Sequence, residues 1–156
     1  CDRLVKPRMD WRTPKKMSDT FEMHPQFSAS TFHVTTLGIC RVLLAKDARF
    51  PWLILVPEVN GLTDWHEVPA PLQPTILADV NHAAATLKRL TNADKMNVAS
   101  LGNQVAQLHI HVIARNVNDA AWPNPVWGEG TPEPYTDDAG AAFLESIEQA
   151  LRTGPR

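Results

Sequence analysis

Two histidines two residues apart, His109 and His111, stand in the run Gln107-Leu108-His109-Ile110-His111-Val112-Ile113-Ala114-Arg115. The alternation predicts a β-strand with Leu108, Ile110 and Val112 on one face and Gln107, His109 and His111 on the other. Imidazoles at i and i+2 then lie about 7 Å apart along the strand, close enough to meet one phosphate or one metal ion. Three chemistries fit that spacing. A neutral imidazole is a nucleophile near pH 7 and can form a labile phosphohistidine-type adduct that water cleaves in a second step. The second histidine would hydrogen-bond the leaving group or a phosphate oxygen, and backbone amides with Asn103 and Gln104 would stabilise the spreading charge. His-x-His on a strand can also supply two ligands to zinc, but a catalytic zinc takes at least one more protein ligand. Spacing signals none, since His24, His33 and His66 are dispersed. Histidines that only face a polar groove are the plain alternative.

The strand needs elements to hold it. Gly38–Ala45 and Pro51–Pro57 flank the turn Lys46–Phe50 and predict an antiparallel pair; the second run is almost wholly apolar and bounded by prolines, as suits a strand buried on both faces. Ile76, Leu77, Val80, Ala83, Ala84, Leu87 and Leu90 follow helical spacing between Leu72 and Leu90. His82 sits beside that stripe, at a surface or partly buried position rather than a catalytic one. Lys95–Leu101 predicts a strand and Gly102-Asn103 a tight turn, so the histidine strand becomes the second arm of a hairpin with Asn103 and Gln104 at its tip. The stretch Asp119–Pro134 is rich in Trp and Pro and predicts an irregular loop of the kind that covers a site or a subunit contact. Ala139–Arg152 predicts a terminal helix. The fold class is α+β, with an antiparallel sheet of about five strands and two main helices.

A chain of 156 residues with 44% apolar content points to one compact domain. A net charge of −2 with scattered basic residues leaves no electrostatic footprint for nucleic acid. No apolar run reaches the length of a membrane span, and no signal-peptide core accompanies Lys6, Arg8, Arg12, Lys15 and Lys16, so a cytoplasmic location is expected. Cys1 and Cys40 make no spaced pair, which fits a reducing compartment. Residues 1–16 read as an extension outside the fold, with Met17 a candidate start, 17–152 as the domain and 153–156 as a tail. Trp52 and Trp65 read as core and loop packing; Trp122 and Trp127 can close over a substrate or meet a second subunit.

The segment Gly102-Asn103-Gln104-Val105-Ala106-Gln107-Leu108-His109-Ile110-His111-Val112-Ile113 resembles the signature strand of the histidine triad superfamily, which carries His-x-His-x-His followed by two apolar residues. Gln107 stands at the first of the three positions. The strand pair ending Leu55-Val56-Pro57, the long helix, Asn97 before the turn and Trp122-Pro123 fall in family order, over roughly Met17 to Arg152. The resemblance implies that His109 attacks the α-phosphate of a nucleotide and that His111 contacts the phosphate and the bridging atom of the leaving group. Gln107 would brace His109 through its backbone carbonyl. Asn97, Gly102, Asn103 and Gln104 would line the phosphate pocket, Asp47 would meet the ribose hydroxyls and Trp122 the substrate. The implied activity is hydrolysis of a nucleoside phosphoramidate, acyl nucleotide or dinucleoside polyphosphate, with no metal or cofactor, in a homodimer. A nucleotide-binding or scaffold protein with little turnover is the alternative, and Gln107 is the feature that supports it.

Overall fold

The computed structural model describes residues 20–155. The expected extension at 1–16, the candidate start Met17 and Cys1 lie outside them. A short helix α1 (Pro25–Ser30) leads into β1 (Thr31–Leu37), β2 (Cys40–Ala45) and β3 (Trp52–Pro57). After two single 3-10 turns come helix α2 (Gln73–Thr91), β4 (Lys95–Ala99), β5 (Ile110–Arg115) and helix α3 (Asp137–Thr153). The five strands form one sheet in the order β1-β2-β3-β5-β4, antiparallel at every step. None of the described helices is long and apolar enough to cross a membrane.

Strand β1 is the one that alternation conceals. Its register slips between His33 and Thr35, so the buried residues are Thr31, Val34 and Leu37, spaced by three rather than two. A bulge of this kind adds one residue and rotates those beyond it to the opposite face.

One face of the sheet carries the main core. Leu44 and Leu53 of the central strands pack with Leu108, Ile110 and Val112 against Ile76, Val80, Ala83 and Leu87 of α2 and Ile147 and Leu151 of α3. Each of these leucine, isoleucine and valine side chains, fully buried, contributes about 1.5–3 kcal/mol. The helical stripe is narrower than its spacing suggests: Leu77 and Leu90 are exposed, while polar Asp79 and Thr86 are buried beside it. Asp79 Oδ2 accepts from the backbone amides of Ile39 and Cys40 and so pins the β1–β2 turn to α2. A Cβ at Gly38 would fall 2.6 Å from Asp79 Oδ1, so only glycine fits there. His82 is buried, its ring nitrogens 2.8 Å from the Leu151 carbonyl and 3.2 Å from that of Pro155. The chain is therefore held onto α2 as far as Pro155.

Two further expectations are corrected. Trp65, read as packing, is 49% exposed. The connection from β4 to β5 is not a tight turn, because β4 ends at Ala99 and β5 begins only at Ile110. The backbone in between finds partners outside the sheet: the Leu108 amide donates to Leu62 O at 2.9 Å, and Gly102 turns with φ +75°. Gln107 and His109 thus precede the ladder, yet the alternation of faces persists, with Leu108 in the core and His109 on the opposite side.

Candidate active site

The second face of the sheet is hollowed where β5 begins. His109 and His111, each 7% exposed, pack with ring centroids 4.9 Å apart. The Nδ1 atom of His109 lies 2.7 Å from the Gln107 carbonyl oxygen. A carbonyl only accepts, so Nδ1 carries the proton and Nε2 keeps its lone pair. The edge of Phe27 meets this ring at 5.0 Å. On His111 the contact is reversed: the Trp52 indole Nε1–H donates to His111 Nδ1 at 3.0 Å. Trp127 packs edge-on to the same ring at 5.1 Å and to Trp52 at 5.8 Å. Burial first, and the neighbouring His109 second, push the His111 pKa down to about 4, so its ring is neutral at physiological pH.

These rings open on a cavity of about 650 Å³. Its apolar wall is Phe27, Ala45, Ile54 and Val105, while Gly102, Asn103 and Gln104 form a second side. Trp52 and Trp127 stand beside His111. Another hollow, of about 530 Å³ between Trp65 and Leu77, holds neither of these histidines.

Residues 26–118 match the model of the HIT domain. The chain belongs to the HIT family. Solved HIT structures agree along nearly their whole length. A histidine triad protein from Bradyrhizobium japonicum is 33% identical at a TM-score of 0.83, covering 85% of this chain and 99% of its own. One from Marinobacter aquaeolei is 39% identical at 0.82, covering 86% and 98%. One from Sinorhizobium meliloti is 39% identical at 0.81, covering 84% and 97%. No curated protein matches the chain.

Within this HIT domain, Gln107 does two jobs. Its backbone carbonyl holds His109, and its carboxamide, outside the cavity lining, accepts from the His24 amide (2.8 Å) and donates to the Glu22 carbonyl (2.9 Å). Asn60 grips the same segment, accepting from the Glu22 amide and donating to Thr20 O. The segment leads into α1, where His24 Nδ1 accepts from the Gln26 amide and Phe27 reaches His109.

Two expected substrate contacts lie elsewhere. Asn97 accepts from Arg115 Nη1 at 2.7 Å, and the ring of Trp122 covers the same guanidinium at 5.7 Å. Arg115 is 1% exposed and also donates to both carboxylate oxygens of Asp119 and to Asn124 O. A buried guanidinium demands acceptors, and Asn97 is drawn to it rather than to the HIT cavity. Burial alone would raise the Asp119 pKa, but hydrogen bonds from Arg115 and from the Ala121 and Asn116 amides outweigh it and hold the carboxyl at about 2. This hub anchors the loop that carries Trp127 to the cavity. Asp47 does line the cavity, yet its carboxylate is bound by Arg49 at 2.7 and 2.9 Å and by the Glu133 amide.

Sequence reasoning missed Phe27 and Trp52 as site residues. Trp52 reaches His111 because β3 pairs with β5, a contact between strands far apart in the chain. That pairing puts Trp52 opposite Ile113 and Ile54 opposite His111.

Proposed function

We propose that this HIT-family protein hydrolyses a nucleotide at its α-phosphate through a covalent nucleotidyl-His109. The observation that carries the reading is the 2.7 Å bond from His109 Nδ1 to the Gln107 carbonyl, which leaves the Nε2 lone pair for phosphorus on a ring lining the cavity. In the first step Nε2 attacks the phosphorus and the leaving group departs beside His111. As the ring becomes cationic in the adduct, the Gln107 carbonyl faces its remaining N–H and stabilises the charge. Water then displaces His109 and releases the nucleoside monophosphate. The apolar wall of Phe27, Ile54 and Val105 suits a nucleobase, and the loop bearing Gly102, Asn103 and Gln104 suits the phosphate oxygens. Phosphoramidates, acyl nucleotides and dinucleoside polyphosphates share that reacting centre.

A homodimer is part of the proposal. Among the described residues, strand β4 pairs with β5 alone and forms an edge of the sheet, with Val98 and, just beyond, Leu101 exposed at 50% and 43%. Unpaired edges with apolar side chains invite pairing with a second chain. Intact mass spectrometry after mixing with an adenosine 5′-phosphate aryl ester and quenching in alkali tests the chemistry. One added adenylyl group in the native protein, absent in His109→Ala, is the expected result. Nucleotide binding without adduct or product in the native protein overturns the proposal in favour of a binding protein.

A further inference from the structure

The two histidines hold their protons on opposite nitrogens, for different reasons. His109 is fixed by an acceptor on Nδ1, His111 by a donor. An indole Nε1–H can only donate, so the 3.0 Å bond from Trp52 requires the lone pair of His111 at Nδ1 and leaves its single proton on Nε2. To become imidazolium, His111 would have to take a proton at the nitrogen that Trp52 occupies. We propose that Trp52 locks His111 as a neutral hydrogen-bond donor, and that the substrates are therefore nucleotides whose leaving group departs from the α-phosphate as an oxyanion, carboxylate or phosphate, rather than as an amine. The proposal rests on the hydrolase reading above and selects within it.

The surroundings of His111 support the lock. From β3 it meets Trp52 and its pairing partner Ile54, from β4 Ala99, and from the loop after β5 Trp127. Just before its own strand it meets His109, the titratable neighbour that acts on it. Lys46 and Asp47, on the turn after β2, are charged groups of the same cavity, and Asp47 is held by Arg49. The pKa pushed down to about 4 agrees with this setting. A positive charge on adenylylated His109 disfavours protonation of His111 further.

The proton balance then decides among leaving groups. His109 Nε2 forms the N–P bond while the P–O bond breaks, and its electron pair stays on the departing oxygen. A carboxylate or phosphate carries that charge near pH 7 without a proton, steadied by the His111 Nε2–H. Water attacks phosphorus, the N–P pair returns to Nε2, and the proton of water passes to solvent. The sum is substrate and water giving nucleoside monophosphate, oxyanion and one proton. An amine must instead be protonated as it leaves, and a neutral His111 supplying that proton would become an imidazolate.

A series of adenosine 5′-phosphate aryl esters with phenols of graded acidity, set beside an alkylamine phosphoramidate of the same nucleotide, tests the substrate class. The expected kcat/KM rises about tenfold for every one to two units of phenol pKa lost, and the phosphoramidate falls at least about a hundredfold below the best ester. A flat series, or a phosphoramidate as good as the best ester, overturns the proposal. Nitrogen-15 spectra of the imidazoles read the lock without any turnover. His111 is expected as the neutral Nε2–H form from about pH 8 to about pH 5, and an Nδ1–H tautomer or an imidazolium at about pH 6 overturns it. In Trp52→Phe, His111 should titrate nearer the ordinary range and the ester preference should narrow about tenfold; an unchanged preference in a folded variant removes Trp52 from the argument. If no ester is turned over and no adduct forms while the spectra show the lock, the hydrolase reading and the substrate class fall together and the tautomer assignment stands.

Discussion

The carboxamide oxygen of Gln107 accepts a 2.8 Å hydrogen bond from the backbone amide of His24, and the same carboxamide donates to the carbonyl of Glu22. One side chain thus ties the segment before α1 to the strand of His109, and Phe27 follows into the cavity three residues later. Gln107→His should not improve catalysis. The carbonyl that orients His109 belongs to the backbone and survives the change, while an imidazole cannot reproduce the paired amide contacts. The expected result is a three- to tenfold lower kcat/KM, from a loosened Phe27 wall, and a loss of about 2 kcal/mol for two hydrogen bonds. Steady-state kinetics with a thermal melt check it, and a gain well above tenfold would show that the native glutamine compromises the site.

His111 sets an acid limit on stability. Its folded pKa, about 4, lies below the ordinary histidine value of 6.5, so protons bind the unfolded chain more readily. The neutral ring therefore contributes fully above the unfolded value, and the contribution is lost as pH falls from 6.5 to about 4. A shift of that size is worth about 3 kcal/mol. Denaturant unfolding of the native protein and of His111→Gln across that window should give a steeper decline for the native chain; parallel curves would refute the buried neutral ring.

Asn97 and Asn103 separate structure from binding. Asn97→Ala strips one acceptor from a guanidinium that is 1% exposed and should cost about 1–3 kcal/mol while leaving KM for nucleotide unchanged. Asn103→Ala lies in the wall of the cavity, on the surface, and should do the opposite, with wild-type melting and roughly tenfold lower kcat/KM. Asp119→Ala, which leaves Arg115 short of its carboxylate, is the severe case at about 3–5 kcal/mol. Thermal melts paired with kinetics on each variant distinguish the three.

What the sequence made legible was local. The alternation Leu108, His109, Ile110, His111 and Val112 assigned core and chemical faces even though the ladder begins only at Ile110, because extended backbone keeps its two-residue period without sheet partners. The long helix was legible from its own 3.6-residue period, and the antiparallel pair β2–β3 from apolar runs bounded by turn residues and prolines. Strand β1 was not, since its bulge replaces period two with spacing of three. The site beyond the histidines depended on pairing between distant strands, which no periodicity encodes: β3 beside β5 brings Trp52 to His111, and β4 beside β5 brings Asn97 to Arg115. Trp122 and Trp127 look alike in a proline-rich loop, and only the Arg115 anchor shows that Trp127 turns inward while Trp122 covers the guanidinium.

Gly102 tests whether the loop beside His109 must hold its shape for chemistry. Its φ of +75° is a conformation that side-chain-bearing residues rarely adopt, while a Cβ there would meet nothing closer than 3.7 Å. Space is thus available, and the penalty of Gly102→Ala is conformational, about 1 kcal/mol. If the loop presents its amides to the phosphate, relaxing that strain moves Asn103 and Gln104 and should lower kcat by tenfold or more with a small loss of stability. A D-alanine introduced at the same position by semisynthesis satisfies the positive φ and should restore the rate. Equal defects in the two alanine variants would mean that the added methyl group itself, rather than the backbone angle, disturbs the site.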